Sequence, residues 1–190
     1  MTIQDRIGMP MDEFIRQYDE APFELVNDER IPLMPPVAVH IWVLKMIYTL
    51  LLKYEQASGV GFAFSEAPFV LTDSSNWVKG LRVPDALFYL AERWTSYIND
   101  VPNWLSKPFV IIPDLCVEIV SENDVYLDVE DKVNGCLRDG VRLVWVFNPR
   151  QKSVTVRTAA AITLLGVEDT LDGGDLLPGF SAPVRTLFPD

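Results

Sequence analysis

The sequence predicts an α/β protein of the α+β kind, a central mixed β-sheet flanked by helices with additional N-terminal and C-terminal β-hairpins. Three observations predict it. Pro113-Asp114-Leu115-Cys116-Val117-Glu118-Ile119-Val120-Ser121 is so dense in branched apolar residues that it reads as a central strand buried on both faces. A helical stretch at Asn123–Arg138 and a second apolar strand at Val141–Phe147 follow it, a compact strand–helix–strand crossover of the right-handed type. The elements before this unit are a helix and several short strands, the order of a mixed sheet with helices packed against it.

Taken in order, Met11–Tyr18 sets Met11, Phe14, Ile15 and Tyr18 along a short helix whose first turn favours Asp12 and Glu13. Phe23–Val26 opens a hairpin, turned at Asn27-Asp28-Glu29 and returned by Arg30–Met34. Pro35-Pro36 ends it and opens a long helix from about Val37 to Gln56, stopped by Ser58-Gly59-Val60-Gly61. That helix is apolar nearly all round, so most of it is expected to be buried. Phe62–Phe64 and Phe69–Leu71 read as short strands, Thr72–Lys79 as a polar loop, and Val83–Leu90 as a strand beginning with Pro84-Asp85. Ala91–Lys107 has aromatic anchors at Trp94, Tyr97 and Trp104 but no clean period, and reads as an irregular excursion. Beyond the crossover, Asp139-Gly140 stops the helix and Asn148-Pro149-Arg150-Gln151 turns the chain into Ser153–Thr158. A strand at Ala161–Leu165 and a Gly/Pro-rich tail finish the chain. No repeat or linker interrupts it, so residues 1–190 are expected to form a single domain.

Composition narrows the function. With 49% apolar and 23% charged residues the chain is an ordinary globular one. The longest apolar stretch, within Ile41–Leu52, is interrupted by Lys45 and Thr49 and is too short for a membrane span. The first residues carry acid and no apolar signal core, which sets the expectation of a cytoplasmic protein. Cys116 and Cys136 have no metal-type spacing and read as reduced, buried thiols without partners. Sixteen basic against twenty-seven acidic residues, a net charge of −11, argue against loose, charge-driven binding to nucleic acid.

Glu118 stands out because it sits mid-strand, on the face of Cys116 and Val120, where an ionised carboxylate costs several kcal/mol unless a partner compensates it. That partner is either an arginine such as Arg82 or Arg142, in a purely structural pair, or something functional. Asp85 shares a strand face with Val83, Leu87 and Tyr89, but aspartate is also common at strand starts. Asp114, after Pro113, reads as a structural turn acid. Lys132 follows Asp128 by four residues, the spacing of a surface ion pair, yet it also recurs with Val125, Val129 and Cys136 on the stripe facing the sheet. A lysine in that stripe needs a partner, and Glu118 is one. Glu24 alternates with apolar neighbours and also suits the solvent face of an edge strand. His40, the only histidine, lies in line with Leu44 and Ile47 on the long helix. One histidine and two cysteines exclude a histidine-rich zinc site. No phosphate-binding glycine loop and no nucleophile elbow is present. Two acids and a lysine on neighbouring elements point instead to magnesium-assisted phosphodiester hydrolysis.

At these residues the chain resembles the PD-(D/E)XK nuclease superfamily and, within it, the Uma family of restriction-endonuclease-like proteins. The segments that carry the resemblance are Glu24-Leu25-Val26 with Met34-Pro35-Pro36 and His40, Val83-Pro84-Asp85, Pro113 to Ser121, Asp128 with Lys132, Gly140-Val141 with Trp145-Val146, and Leu177-Pro178-Gly179-Phe180 with Leu187-Phe188. The resemblance implies a restriction-endonuclease-like core in which Asp85 and Glu118 bind Mg2+ or Mn2+. It implies that Lys132 replaces the lysine normally two positions after the second acid, where this chain has Val120. Glu24 is implied as an accessory catalytic acid and His40 as a residue at the pocket edge. Cys136 stands where an aromatic is usual, and Asn27-Asp28-Glu29 where an Asp-Gly turn is usual. The expected activity is that of a Mg-dependent endodeoxyribonuclease, with DNA as substrate and a homodimer as the assembly, for which the aromatics of Ala91–Lys107 offer a surface. The alternatives are a weak or inactive nuclease-fold protein that binds nucleic acid or a protein partner, and a protein unrelated to nucleic acid whose Glu118 and Lys132 form only a buried ion pair.

Overall fold

The computed structural model describes residues 8–26, 29–74, 76–121 and 126–189. In chain order these form β1 (Met9–Pro10), α1 (Met11–Glu20), β2 (Phe23–Val26), β3 (Glu29–Pro32), α2 (Ala38–Ser58), β4 (Gly61–Ser65), β5 (Phe69–Ser74), β6 (Trp77–Arg82) and β7 (Ala86–Leu90). Then come α3 (Ala91–Asp100), β8 (Leu115–Ile119), α4 (Tyr126–Asp139), β9 (Leu143–Asn148), β10 (Ser153–Arg157), β11 (Ile162–Leu165), β12 (Thr170–Gly173) and β13 (Leu177–Pro183).

The central sheet runs β11-β10-β9-β8-β7-β4. Within it β8 and β9 are parallel and α4 connects them, while the other neighbours are antiparallel. A second sheet sets β6 against β5 and also against β1 and β2, with β3 at the edge beyond β2. Strands β12 and β13 form a separate hairpin. The result is the mixed sheet flanked by helices, with hairpins at both ends, that the sequence predicts.

Strand alternation divides the core into layers. Leu115, Val117 and Ile119 of β8 face Val43, Ile47 and Leu51 of α2 and the C-terminal Phe180 and Leu187. Cys116, on the other face, packs with Trp94 and Tyr97 of α3 and with Val133 and Cys136 of α4. A third cluster, with Phe14 of α1 and Phe23 and Leu25 of β2, covers one side of the second sheet. The side chain of Glu24, between Phe23 and Leu25, therefore points away from α1.

Four sequence expectations are corrected here. Helix α2 is not buried all round. It is held by the stripe His40, Val43, Ile47 and Leu51, while Ile41 and Trp42 remain 53% and 46% exposed. The three apolar members of that stripe contribute about 1.5–3 kcal/mol each, and half-buried Leu44, Tyr48, Leu52 and Tyr54 flank them on the same core. Gly59, with φ of 65°, caps it and donates to the Glu55 carbonyl. Thr72–Lys79 is not a loop, because β5 continues to Ser74 and β6 begins at Trp77. Register shifts at Leu71/Thr72 and Thr72/Ser74 break the alternation that marks a strand in sequence. Ala91–Lys107 is not irregular throughout: Ala91–Asp100 is α3, which buries Trp94 and Tyr97, and a 3-10 turn holds half-buried Trp104. With two of its aromatics inside the core, this segment gives no support to a self-association surface. The Gly/Pro-rich tail is itself the β12–β13 hairpin followed by a 3-10 turn, packed on α2. Residues 27 and 28 of the expected first turn, and the expected helix start at Asn123 with Val125, lie outside the described residues.

Asp114 is fully buried just before β8. Its Oδ1 accepts from Arg93 at 2.7 Å and from Arg142 at 3.5 Å, and its Oδ2 accepts from the Leu90 N–H at 2.9 Å. Its backbone carbonyl accepts from the amides of Arg142 and Leu143, so it also sets the start of β9. Asp114→Ala is expected to cost about 3 kcal/mol, the scale of a buried carboxylate with charged donors. Urea unfolding should show a lower midpoint at an unchanged slope, and an unchanged midpoint would contradict this role.

Candidate functional site

Continuing the β7–β8 register one step past Ala86↔Val117 sets Asp85 opposite Glu118. Asp85 lies in the bend between β6 and β7, after Pro84, which has no N–H to offer. Its orientation comes from hydrogen bonds. Oδ2 accepts from the Ile119 N–H at 2.6 Å, Oδ1 is 2.8 Å from His40 Nε2, and the backbone carbonyl accepts from the Glu66 N–H. A backbone donor beside Glu118 thus ties the first acid to the strand of the second.

Glu118 is 6% exposed. Neither arginine considered as its partner reaches it. Arg82 pairs with Asp139 at 3.0 Å, and Arg142 is committed to Asp114. Its partner is Lys132, whose Nζ lies 2.9 Å from Glu118 Oε2 and 3.3 Å from Glu24 Oε1. The four-residue spacing from Asp128 therefore does not describe the lysine's role, since Lys132 turns inward to two other acids. Glu24, 5% exposed, is not on a solvent face either. Strand β2 is covered by β3, and Glu24 Oε1 also accepts from the Val83 N–H at 2.8 Å. One glutamate thereby holds both the lysine and the backbone two residues before Asp85.

Helix α4 is clasped on either side of Lys132. Arg157 of β10 reaches Glu130 at 2.8 Å and Asn134 at 2.9 Å, and Arg82 of β6 holds Asp139. Gly135 is small for a reason: a Cβ there would lie 3.0 Å from an Arg82 guanidinium nitrogen. One turn beyond Lys132, Cys136 packs in the same buried cluster as Cys116, so the two thiols are neighbours and not the solitary residues expected.

Glu24, Asp85, Glu118, Lys132 and His40 thus converge, although they come from five separate segments of the chain. The backbone donors Val83 and Ile119 belong to the same cluster, and no side-chain signal in the sequence marks them. Burial pushes the Glu118 carboxyl well above its ordinary range, and the charges of Asp85 and Glu24 add to that while Lys132 opposes it. Burial disfavours the Lys132 ammonium, but Glu118, Glu24 and Asp85 outweigh it and hold it well above its ordinary value.

Among the described residues no three histidine, cysteine or acidic side chains converge as a ready-made metal cage. Magnesium rarely uses one, taking one or two carboxylates and keeping its remaining positions for water and phosphate oxygens. Among the described residues Glu118 Oε1 is buried without a hydrogen-bond partner, and such an oxygen beside a second acid suits a hard cation. The donor set fits such an ion.

The family model described as "Putative restriction endonuclease", named Uma2, matches residues 11–185. A crystal structure described as a putative nuclease belonging to DUF820, from Anabaena variabilis ATCC 29413, superposes with a TM-score of 0.75 at 18% identity, covering 94% of this chain and 97% of that one. At that identity the likeness is one of fold. No curated protein matches in sequence. Among the described residues no helix is long and apolar enough to cross a membrane.

The raised Glu118 pKa has a measurable sign. The folded chain holds this proton at pH values where the unfolded chain has released it, so metal-free stability falls as pH rises above about 4.5. Lys132 adds no slope there, because its contribution is lost only above 10.5. Glu118→Gln is therefore expected to gain stability relative to wild type in EDTA as pH rises above about 5, until the raised folded-state pKa of Glu118 is passed. Urea unfolding across that range tests it, and a pH-independent difference would contradict it.

Proposed function

The chain belongs to the Uma2 family, and from that premise we propose that it is a divalent-metal-dependent nuclease that hydrolyses phosphodiester bonds of DNA. In this reading residues 1–190 act as one nuclease-like domain. The observation that carries it is the pairing of mid-strand Glu118 with Lys132 beside Asp85 and Glu24. A structural ion pair needs one acid and one base, but here a single ammonium serves two buried glutamates while one oxygen of Glu118 has no partner among the described residues.

Asp85 and Glu118 would hold Mg2+ or Mn2+. An ion there supplies positive charge to a phosphoryl oxygen and acidifies water. Lys132, held in its charged form by Glu118 and Glu24 and a quarter exposed, would offer a further N–H bond to a phosphate. There it orients the attacking water or stabilises the negative charge that builds on the phosphoryl oxygens. Placing this lysine on α4 is the distinctive element of the proposal, since the strand position two after Glu118 is Val120. Glu24 keeps the ammonium aimed and fixes the Val83 backbone that leads to Asp85. Self-association into a homodimer would let two such sites cut both strands of a duplex.

Magnesium or manganese is expected to raise the melting temperature of the wild type, and Asp85→Ala or Glu118→Ala to abolish that rise. Lys132→Ala should keep the metal response and lose plasmid cleavage by about 100-fold or more, the scale of removing one preorganised charge donor. A wild type whose melting temperature ignores both metals would remove the basis of the proposal. Cleavage that survives Lys132→Ala would remove the lysine's assigned role.

A further inference from the structure

We infer that His40 is a positioning residue for the first acid, holding the Asp85 carboxylate in the orientation in which it meets a metal ion. The inference rests on the metal-site reading above and extends it to a residue on the opposite side of the sheet. Val43, Ile47 and Leu51 pack α2 against the face of β8 away from Glu118. His40 lies three residues before Val43, on the same stripe and near the helix start. It reaches Asp85 past the end of the sheet, where the bend between β6 and β7 leaves that acid outside any strand ladder.

The geometry is that of an outer-shell clamp. A carboxylate only accepts, so the 2.8 Å contact to Oδ1 places the proton on His40 Nε2 as donor. The Ile119 N–H occupies one site on Oδ2 at 2.6 Å. A donor on each oxygen holds the carboxylate plane, and each oxygen has a second lone pair with which it could meet an ion. His40 is itself 9% exposed on a packed helix, so its ring moves little. Groups that orient metal ligands this way commonly change metal affinity by about 10–100-fold when removed.

The test compares three substitutions by Mn2+ titration, read both as a shift in melting temperature and by calorimetry, with no substrate present. The His40→Gln side chain can place an amide N–H where Nε2 lies. His40→Asn carries the same group but falls short, and His40→Phe keeps the ring without a donor. The wild type and His40→Gln are expected to bind Mn2+ within a few-fold of each other, with His40→Asn and His40→Phe weaker by about 10–100-fold. If His40→Phe does not fold, the Asn and Gln variants still differ in reach alone. Unchanged affinity in His40→Asn, or equal losses in Gln and Asn, would overturn the positioning role while leaving the metal site standing. A wild type that binds no Mn2+ would overturn the site and this inference together.

Discussion

The Lys132 ammonium, 2.9 Å from Glu118 and 3.3 Å from Glu24, is the contact on which the arrangement depends. It joins the central sheet through β8, the second sheet through β2, and helix α4, which carries it. Three elements with no sequence proximity meet at one charge. Remove it and two buried glutamates are left with, among the described residues, only the Val83 N–H to compensate either, which costs several kcal/mol in a low-dielectric interior. The clasps on α4, Arg157 to Glu130 and Asn134 and Arg82 to Asp139, serve the same end. They fix the helix against both sheets so that the lysine arrives in register.

Asp114 and Glu118 make an internal comparison. They lie four residues apart along one stretch of chain, and both are buried. Asp114 has two guanidinium partners and a backbone N–H, and its backbone carbonyl also organises β9. That is the full compensation expected of an acid kept for structure. Glu118 shares one ammonium with a second glutamate, has one oxygen without a partner among the described residues, and has its carboxyl pushed upward by burial. The protein compensates a nearby acid thoroughly and leaves this one short. Incomplete compensation at Glu118 is thus a property of the site and not of the strand.

What was legible in the sequence follows from the range of the forces involved. The β8–α4–β9 unit was readable because its signals are local: an apolar run, a helical stripe and a glycine stop. Glu118 and Lys132 were readable as anomalies, each a charge in an apolar pattern, and their pairing followed from the connection between strand and helix. Strand β6 was missed because its pairing with β5 is irregular, Lys79 of β6 being skipped between Gly80 and Val78, and the alternation breaks there. Helix α3 was missed although Trp94, Tyr97, Ile98 and Val101 recur at helical spacing. Its stability comes from aromatic partners far away in sequence, Phe62, Phe64 and Phe109, which no local window contains. Contacts of His40 with Asp85 and of Glu24 with Lys132 span long sequence separations and were beyond any spacing argument. The backbone donors of Val83 and Ile119 leave no side-chain trace at all.

The excess of acid over base in the whole chain, a net −11, opposes a polyanionic substrate, and the cluster repeats that excess on a small scale, with three carboxylates against one lysine. Without a cation, the cluster lessens its own repulsion by keeping a proton on Glu118, which is the direction of its shift. Such a site repels a phosphate. On the proposed reading, a divalent ion taking the place of that proton would offset the two excess negative charges and present a positive centre, with Lys132 beside it, where a phosphodiester could bind. The charge balance that argued against nucleic acid would then act as a gate, because the site can accept a polyanion only once it holds metal. The same logic would account for two buried glutamates sharing one lysine beside Asp85, when a second lysine would stabilise the fold more. Full neutralisation by the chain's own residues would leave a cation nothing to compensate.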